Sequence, residues 1–143
     1  AYSAAHAGQT ATLEVLVEAG CDVNLAVIIS GTTPAHVAAR RGQTAALDIL
    51  VKAGCDVNQA EKNGQTPAFA AARKGMTAAL DILLVKAPGC DVGQATKDGT
   101  TPAYAAAASG HAAALDILVK AGCDVNQATK SGATPALIAA ESG

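Results

Sequence analysis

Tryptophan is absent from this 143-residue chain, and phenylalanine and methionine occur once each, at Phe69 and Met76. Aromatics are only 2% of residues although 50% are hydrophobic and alanine is everywhere. The interior therefore has to be built from small, closely packed side chains rather than large anchors. Long apolar runs are missing as well: stretches such as Leu25–Ile29 fall far short of the roughly 20 residues needed to span a bilayer. No charged-then-apolar leader opens the sequence, so the chain reads as soluble and not secreted, with an intracellular setting, cytoplasmic or nuclear. Nor is there an excess of positive charge. The formal net charge is −2, which argues against a general nucleic-acid binder, whose domains usually carry a clear basic surplus.

What is present is repetition. The phrases Gly20-Cys21-Asp22-Val23-Asn24, Gly54-Cys55-Asp56-Val57-Asn58, Gly89-Cys90-Asp91-Val92-Gly93 and Gly122-Cys123-Asp124-Val125-Asn126 place cysteines 34, 35 and 33 residues apart. A second phrase, Gly-x-Thr-Pro-Ala, keeps step with it, with prolines at Pro34, Pro67, Pro102 and Pro135, spaced 33, 35 and 33. A period that regular means a stacked array in which each unit touches its neighbours, with a long thin core and no single pocket for chemistry. Equivalent cysteines then sit about one helix spacing apart, roughly 8–10 Å. A disulfide needs Cα atoms within about 7 Å, and a zinc ion needs ligands that converge. The four thiols therefore read as small buried packing groups in a reducing compartment, and neither metal nor cofactor is expected.

Each unit carries local signals. Thr66 is placed to N-cap a helix with Pro67 at its first position, and Gly75 to end it in the left-handed conformation. Thr77 then reads as the cap of a second helix, Ala78 to Ala87, matched by Ala45 to Ala53 one unit earlier, where Leu47, Leu50 and Val51 share a face. Asp48 and Lys52, at i and i+4, mark its solvated side. The dipeptides Asn63-Gly64 and Asp98-Gly99 have hairpin-turn character. The order is helix, turn, helix, hairpin loop.

With Gly-x-Thr-Pro-x-x-x-Ala-Ala-x-x-Gly and Ala-Gly-x-Asp-Val-Asn as its motifs, the chain resembles the ankyrin-repeat family over essentially its whole length. The resemblance implies an all-α solenoid of stacked helix-turn-helix units with hairpin loops, whose first helices and hairpin tips line a concave, partner-binding face. The units fall at residues 26–59, 60–94 and 95–127, between partial units at 1–25 and 128–143. The family pattern Thr-Pro-Leu-His is altered: alanine replaces the leucine throughout, and only His36 keeps the imidazole, with Phe69, Tyr104 and Leu137 in the other units. Inner helices should then approach more closely or leave small voids. Ten steps separate Leu80 from Cys90 where other units have eight, so Leu83-Leu84 reads as an insertion within a helix and Pro88 as one after it, giving a π-bulge or a displaced helix end. The first hairpin loop, Leu25 to Ser30, is one residue longer and apolar. It reads as core cover in preference to a contact patch. Neither end carries a polar cap, with Gly143 closing the last first helix, so a fragment of a longer array, or end-to-end association between copies, is expected.

Aligned units place variable residues at the hairpin tips and first-helix ends. These are Ile29, Ser30, Thr32, Arg40 and Arg41, then Lys62, Asn63, Gln65, Arg73 and Lys74. They continue with Lys97, Asp98, Thr100, Ala108 and Ser109, and with Lys130, Ser131, Ala133, Glu141 and Ser142. Seven basic residues against Asp98 and Glu141 give this set +5, leaving −7 elsewhere to reach the net −2. Opposed faces of opposite sign would steer an acidic protein partner into the groove, although basic residues at helix C-termini also simply complement the helix dipole. The histidines His6, His36 and His111 occupy three different slots, and no nucleophile has a base and acid beside it. The chain thus reads as a non-enzymatic protein-interaction module; a structural spacer in a larger protein is the alternative, and nucleic-acid contact through the basic groove a weaker third.

Overall fold

The computed structural model describes residues 1–142. Nine α-helices follow in chain order among them: α1 (Tyr2–Ala7), α2 (Thr10–Glu18), α3 (Pro34–Arg41), α4 (Thr44–Lys52), α5 (Pro67–Arg73), α6 (Thr77–Lys86), α7 (Pro102–Ala108), α8 (Ala112–Lys120) and α9 (Pro135–Ser142). No strand occurs among the described residues. The helices form two rows. The odd-numbered helices pack in sequence from α1 to α9, and α2, α4, α6 and α8 form a second row behind them. The odd-numbered row is the more closely packed. Alanine makes this possible: Ala68, Ala71 and Ala72 of α5 and Ala103, Ala105 and Ala106 of α7 are buried, and small side chains let backbones approach. The second row supplies the larger groups, with Leu13, Leu47, Leu50, Leu80, Leu83 and Leu118 fully buried.

Helix starts follow two rules. In α3, α5 and α7 the Thr hydroxyls of Thr33, Thr66 and Thr101 accept from the backbone N–H three residues on, with proline at the first helical turn. The second-row helices differ from expectation: Thr77 is the first residue of α6 rather than its cap, and Met76 in the cap position makes no side-chain bond. The backbone does this work instead. Met76 N–H donates to Ala71 O at 2.9 Å and Thr77 N–H to Gly75 O at 2.9 Å, so the tight turn itself occupies donors that a side chain would otherwise serve.

The insertion in α6 produces no π-bulge. The helix is regular and one residue longer than α4, and its end is displaced: Ala87 lies at φ −112°, ψ 85°, and Cys90 N–H bonds to Ala87 O, whereas Cys55 N–H reaches Leu50 O. Leu83 remains buried, and the surplus emerges at Val85, which is 80% exposed.

Behind the helices, the Cys-Asp-Val-Asn phrase forms a rail. Asp22, Asp56 and Asp91 each accept, through Oδ1, from the backbone N–H two residues later. Asn24 Oδ1 then accepts from Asp56 N–H at 2.7 Å, and Asn58 Oδ1 from Asp91 N–H at 2.8 Å, joining successive units. Gly93 has no side chain with which to continue.

Candidate functional interface

The hairpin loops are closed by backbone bonds: Glu61 N–H donates to Gln65 O at 2.8 Å, Thr96 N–H to Thr100 O at 2.9 Å and Thr129 N–H to Ala133 O at 2.9 Å. Successive tips are also tied to each other. Lys62 N–H donates to Ser30 O at 3.0 Å, Lys97 N–H to Asn63 O at 3.1 Å and Lys130 N–H to Asp98 O at 2.9 Å. Gly64 (φ 91°) sits at this junction, where a Cβ would lie 2.9 Å from both Lys97 N and Thr96 Cα. Glycine is thus required there twice, by its positive φ and by the adjoining backbone.

One cluster joins the end of α3 to the next tip. Arg40 lies 3.9 Å from the Glu61 carboxylate, the Thr32 hydroxyl donates to Glu61 at 2.8 Å, and Thr32 shares a 2.7 Å bond with the Ser30 hydroxyl. Thr32 is buried and offers no contact surface, contrary to its place in the predicted set. Glu61, absent from that set, lies among its members and lowers their summed charge from +5 to +4. Beside it, His36 is fully buried, with Nε2 2.9 Å from Gln65 O and Nδ1 3.2 Å from Thr33 N. A ring nitrogen that receives a backbone N–H must be the unprotonated one, so Nε2 carries the hydrogen and donates to Gln65. Burial lowers the imidazole pKa below its usual 6.5, against opposing pulls from the Gln65 bond and Glu61.

A second cluster surrounds a cavity of about 290 Å³ lined by Asn63, Gln65, Phe69, Lys97, Asp98 and Thr100. The Arg73 guanidinium stands 5.9 Å over the ring of Phe69, which lines this cavity. Asp98 is exposed, and its carboxylate accepts from the Thr96 hydroxyl, which holds its pKa below the usual value. Arg41, Lys74 and Ser109 are exposed at the helix ends, and Lys62, Asn63, Lys97 and Lys130 are exposed at the tips. Gln65, Thr100 and Ser30 are half-buried. Ile29 is 84% exposed and Ile28 90%, so the first hairpin loop does not cover the core. That expectation fails because the loop's extra residue enlarges its tip, which projects from the stack.

The cations fall into two groups. On the second row, Lys52 and Lys86 each approach Asp48 at 2.7 Å, and Lys120 approaches Asp116 at 2.6 Å. Lys52 first, then Lys86, holds the Asp48 carboxyl below its usual range. On the tips and first-helix ends, only Arg40 has a carboxylate partner among the described residues; Arg41, Lys62, Arg73, Lys74, Lys97 and Lys130 have none within 4.0 Å.

The family model "Ankyrin repeats (3 copies)" matches residues 1–95 and 79–143. The chain belongs to the ankyrin-repeat family. Ankyrin repeats are in general protein–protein interaction modules and are typically non-enzymatic. Among individually curated proteins the chain finds no match. No helix among the described residues of this ankyrin array is long and apolar enough to cross a membrane.

Sequence reasoning missed Glu61 and Thr96 as organisers of the tips. Their signal is positional: both fill the slot before the tip lysine, where they shape the loop rather than vary at its surface.

Proposed function

We propose that this ankyrin array holds an acidic segment of a partner protein along the face made by its hairpin tips and first-helix ends. The asymmetry of pairing supports the reading. Among the described residues, Lys52, Lys86 and Lys120 of the second row pair with carboxylates, while six cations on the tip and helix-end side carry no such partner. Unpaired cations on one side of a low-dielectric body attract a partner's carboxylates and accelerate encounter. Helix-dipole complementation accounts for Arg41 and Arg73 but not for the tip lysines, which lie outside any helix.

The test uses peptides selected by display on the parent chain, then titrated against an Arg41→Glu, Lys74→Glu, Lys97→Glu variant. All three residues are exposed and have no carboxylate partner among the described residues, and the variant's melting curve checks that its fold survives reversal at the two helix C-termini. The expected result is acidic selected peptides whose affinity drops at least about tenfold in the variant and weakens with salt. Uncharged selected peptides, or binding indifferent to reversal, would overturn the proposal. Tighter and steeply salt-sensitive binding to duplex DNA would transfer the face to nucleic acid.

A further inference from the structure

The first hairpin departs from its successors at the tip itself. In later loops two residues separate the turn-closing residue from its glycine: Lys62-Asn63, Lys97-Asp98 and Lys130-Ser131. Gly64, Gly99 and Gly132 donate back to Glu61, Thr96 and Thr129 at 2.8, 2.9 and 2.9 Å. In the first loop Val27 takes the closing role, accepting from Gly31 N–H at 2.7 Å and donating to Thr32 O at 3.0 Å. Three residues, Ile28-Ile29-Ser30, therefore fill the tip. The slot that holds lysine in three loops holds two isoleucines in the first. Because the tips are tied by backbone bonds, the result is a fixed row that begins apolar and continues through Lys62, Lys97 and Lys130.

Exposed aliphatic side chains on a pinned loop cost solvation and return nothing to the fold. A hairpin stacked before this one does not cover them. Lys62 and Lys97 occupy the equivalent slot with such a hairpin in place, and both remain exposed. An occupant has to come from outside the stack, and the adjoining lysines set its charge.

We infer that this edge docks an extended segment of another protein that carries a bulky apolar residue at one end, against Ile28 and Ile29, and carboxylates at three-residue intervals facing Lys62, Lys97 and Lys130. The interval follows from packing: stacked helices lie roughly 8–10 Å apart, and a segment in the polyproline II conformation advances about 3.1 Å per residue with about three residues per turn, so every third side chain returns to the same face. The inference rests on the acidic-partner reading and adds to it an anchor and a polarity along the stack.

Labelled ten-residue peptides test it by fluorescence polarisation. One has leucine at the first position and glutamate at the fourth, seventh and tenth; a second reverses that order; a third replaces leucine with serine. Each is titrated against the parent and an Ile28→Asn, Ile29→Asn variant, whose fold is checked by its melting curve. One leucine order should bind about tenfold more tightly than the serine peptide, the return for partly burying one aliphatic side chain. The variant should erase that advantage while binding the serine peptide as the parent does. Equal binding of leucine and serine peptides to the parent overturns the inference and leaves the acidic-partner reading standing. Absence of salt-sensitive binding by every peptide overturns both. A parent that dimerises, with a monomeric variant, assigns the tip to a second copy and also overturns it.

Discussion

His36 and Gln65 connect two successive units: the imidazole Nε2–H donates at 2.9 Å to the same carbonyl oxygen that accepts Glu61 N–H and closes the second hairpin. The bond needs a neutral ring, since Nδ1 faces Thr33 N–H. The folded pKa is depressed below 6.5 while the unfolded chain keeps the ordinary value. Just below that pH the unfolded state therefore binds more protons, and stability falls as the solution is acidified. Urea unfolding at stepped pH should show a plateau above the usual imidazole pKa and a decline beneath it, and a His36→Gln variant should lose this component. At neutral pH, His36→Ala should cost about 1–3 kcal/mol by leaving buried polar groups unpartnered.

Gly93 interrupts the rail, since Asn24 and Asn58 each accept the next unit's Asp N–H but glycine cannot reach Asp124. A Cβ at Gly93 would meet only Asp91 Oδ1 at 3.5 Å, and its φ is not in the positive range, so Asn fits. Gly93→Asn should stabilise by about 0.5–1.5 kcal/mol, and a denaturation midpoint that fails to rise would show that the rail contributes nothing. The reverse change, Asn58→Ala, removes both its bond to Asp91 N–H and its 2.7 Å donation to Gly89 O, and should cost about 1–2 kcal/mol.

Gly64 and Gly20 separate strain from crowding. Both have positive φ, 91° and 77°, but a Cβ at Gly20 meets nothing within 4 Å whereas one at Gly64 meets the next tip's backbone. Gly20→Ala should cost about 1 kcal/mol and Gly64→Ala clearly more. Equal losses in thermal unfolding would mean that the tips readily move apart.

Burial, with a neighbouring aspartate, pushes the Cys55 and Cys90 thiols up to about 11, and moves Cys123 in the same direction. Thiolate is the reactive form, so Cys55 and Cys90 should resist iodoacetamide at neutral pH in the folded chain and react promptly in urea. Mass spectrometry of each peptide reads the result directly.

Much of the fold was legible because it is written locally and several times over. Thr66-Pro67 opens a helix by its own chemistry, and the same signal recurs at Thr33-Pro34 and Thr101-Pro102. Thr77 misled because its turn satisfies helix donors through backbone atoms, which composition does not reveal. Lys52 with Asp48 was readable at i and i+4, but Lys86 reaches Asp48 from the neighbouring helix. Glu61 escaped notice for the same reason: its partner Arg40 belongs to the preceding unit. The loop Leu25 to Ser30 reads as cover because aliphatic residues default to burial, although Ile29 also stands among the tip residues; the turn's hydrogen bonds show a tip enlarged by one residue, and Ile28 and Ile29 are exposed.

The missing asparagine at Gly93 has a mechanical meaning. At Gly93 the asparagine-to-aspartate tie is missing, so the stretches that follow α6 and α8 are joined by helix packing and by the tip bond from Lys130 N–H to Asp98 O, but not along the rail. In a linear stack, rupture starts where adjacent modules hold each other least. Under a load drawn along the stack, the junction at Gly93 should therefore open before those bridged by Asn24 and Asn58, and Gly93→Asn should raise the force at which it parts.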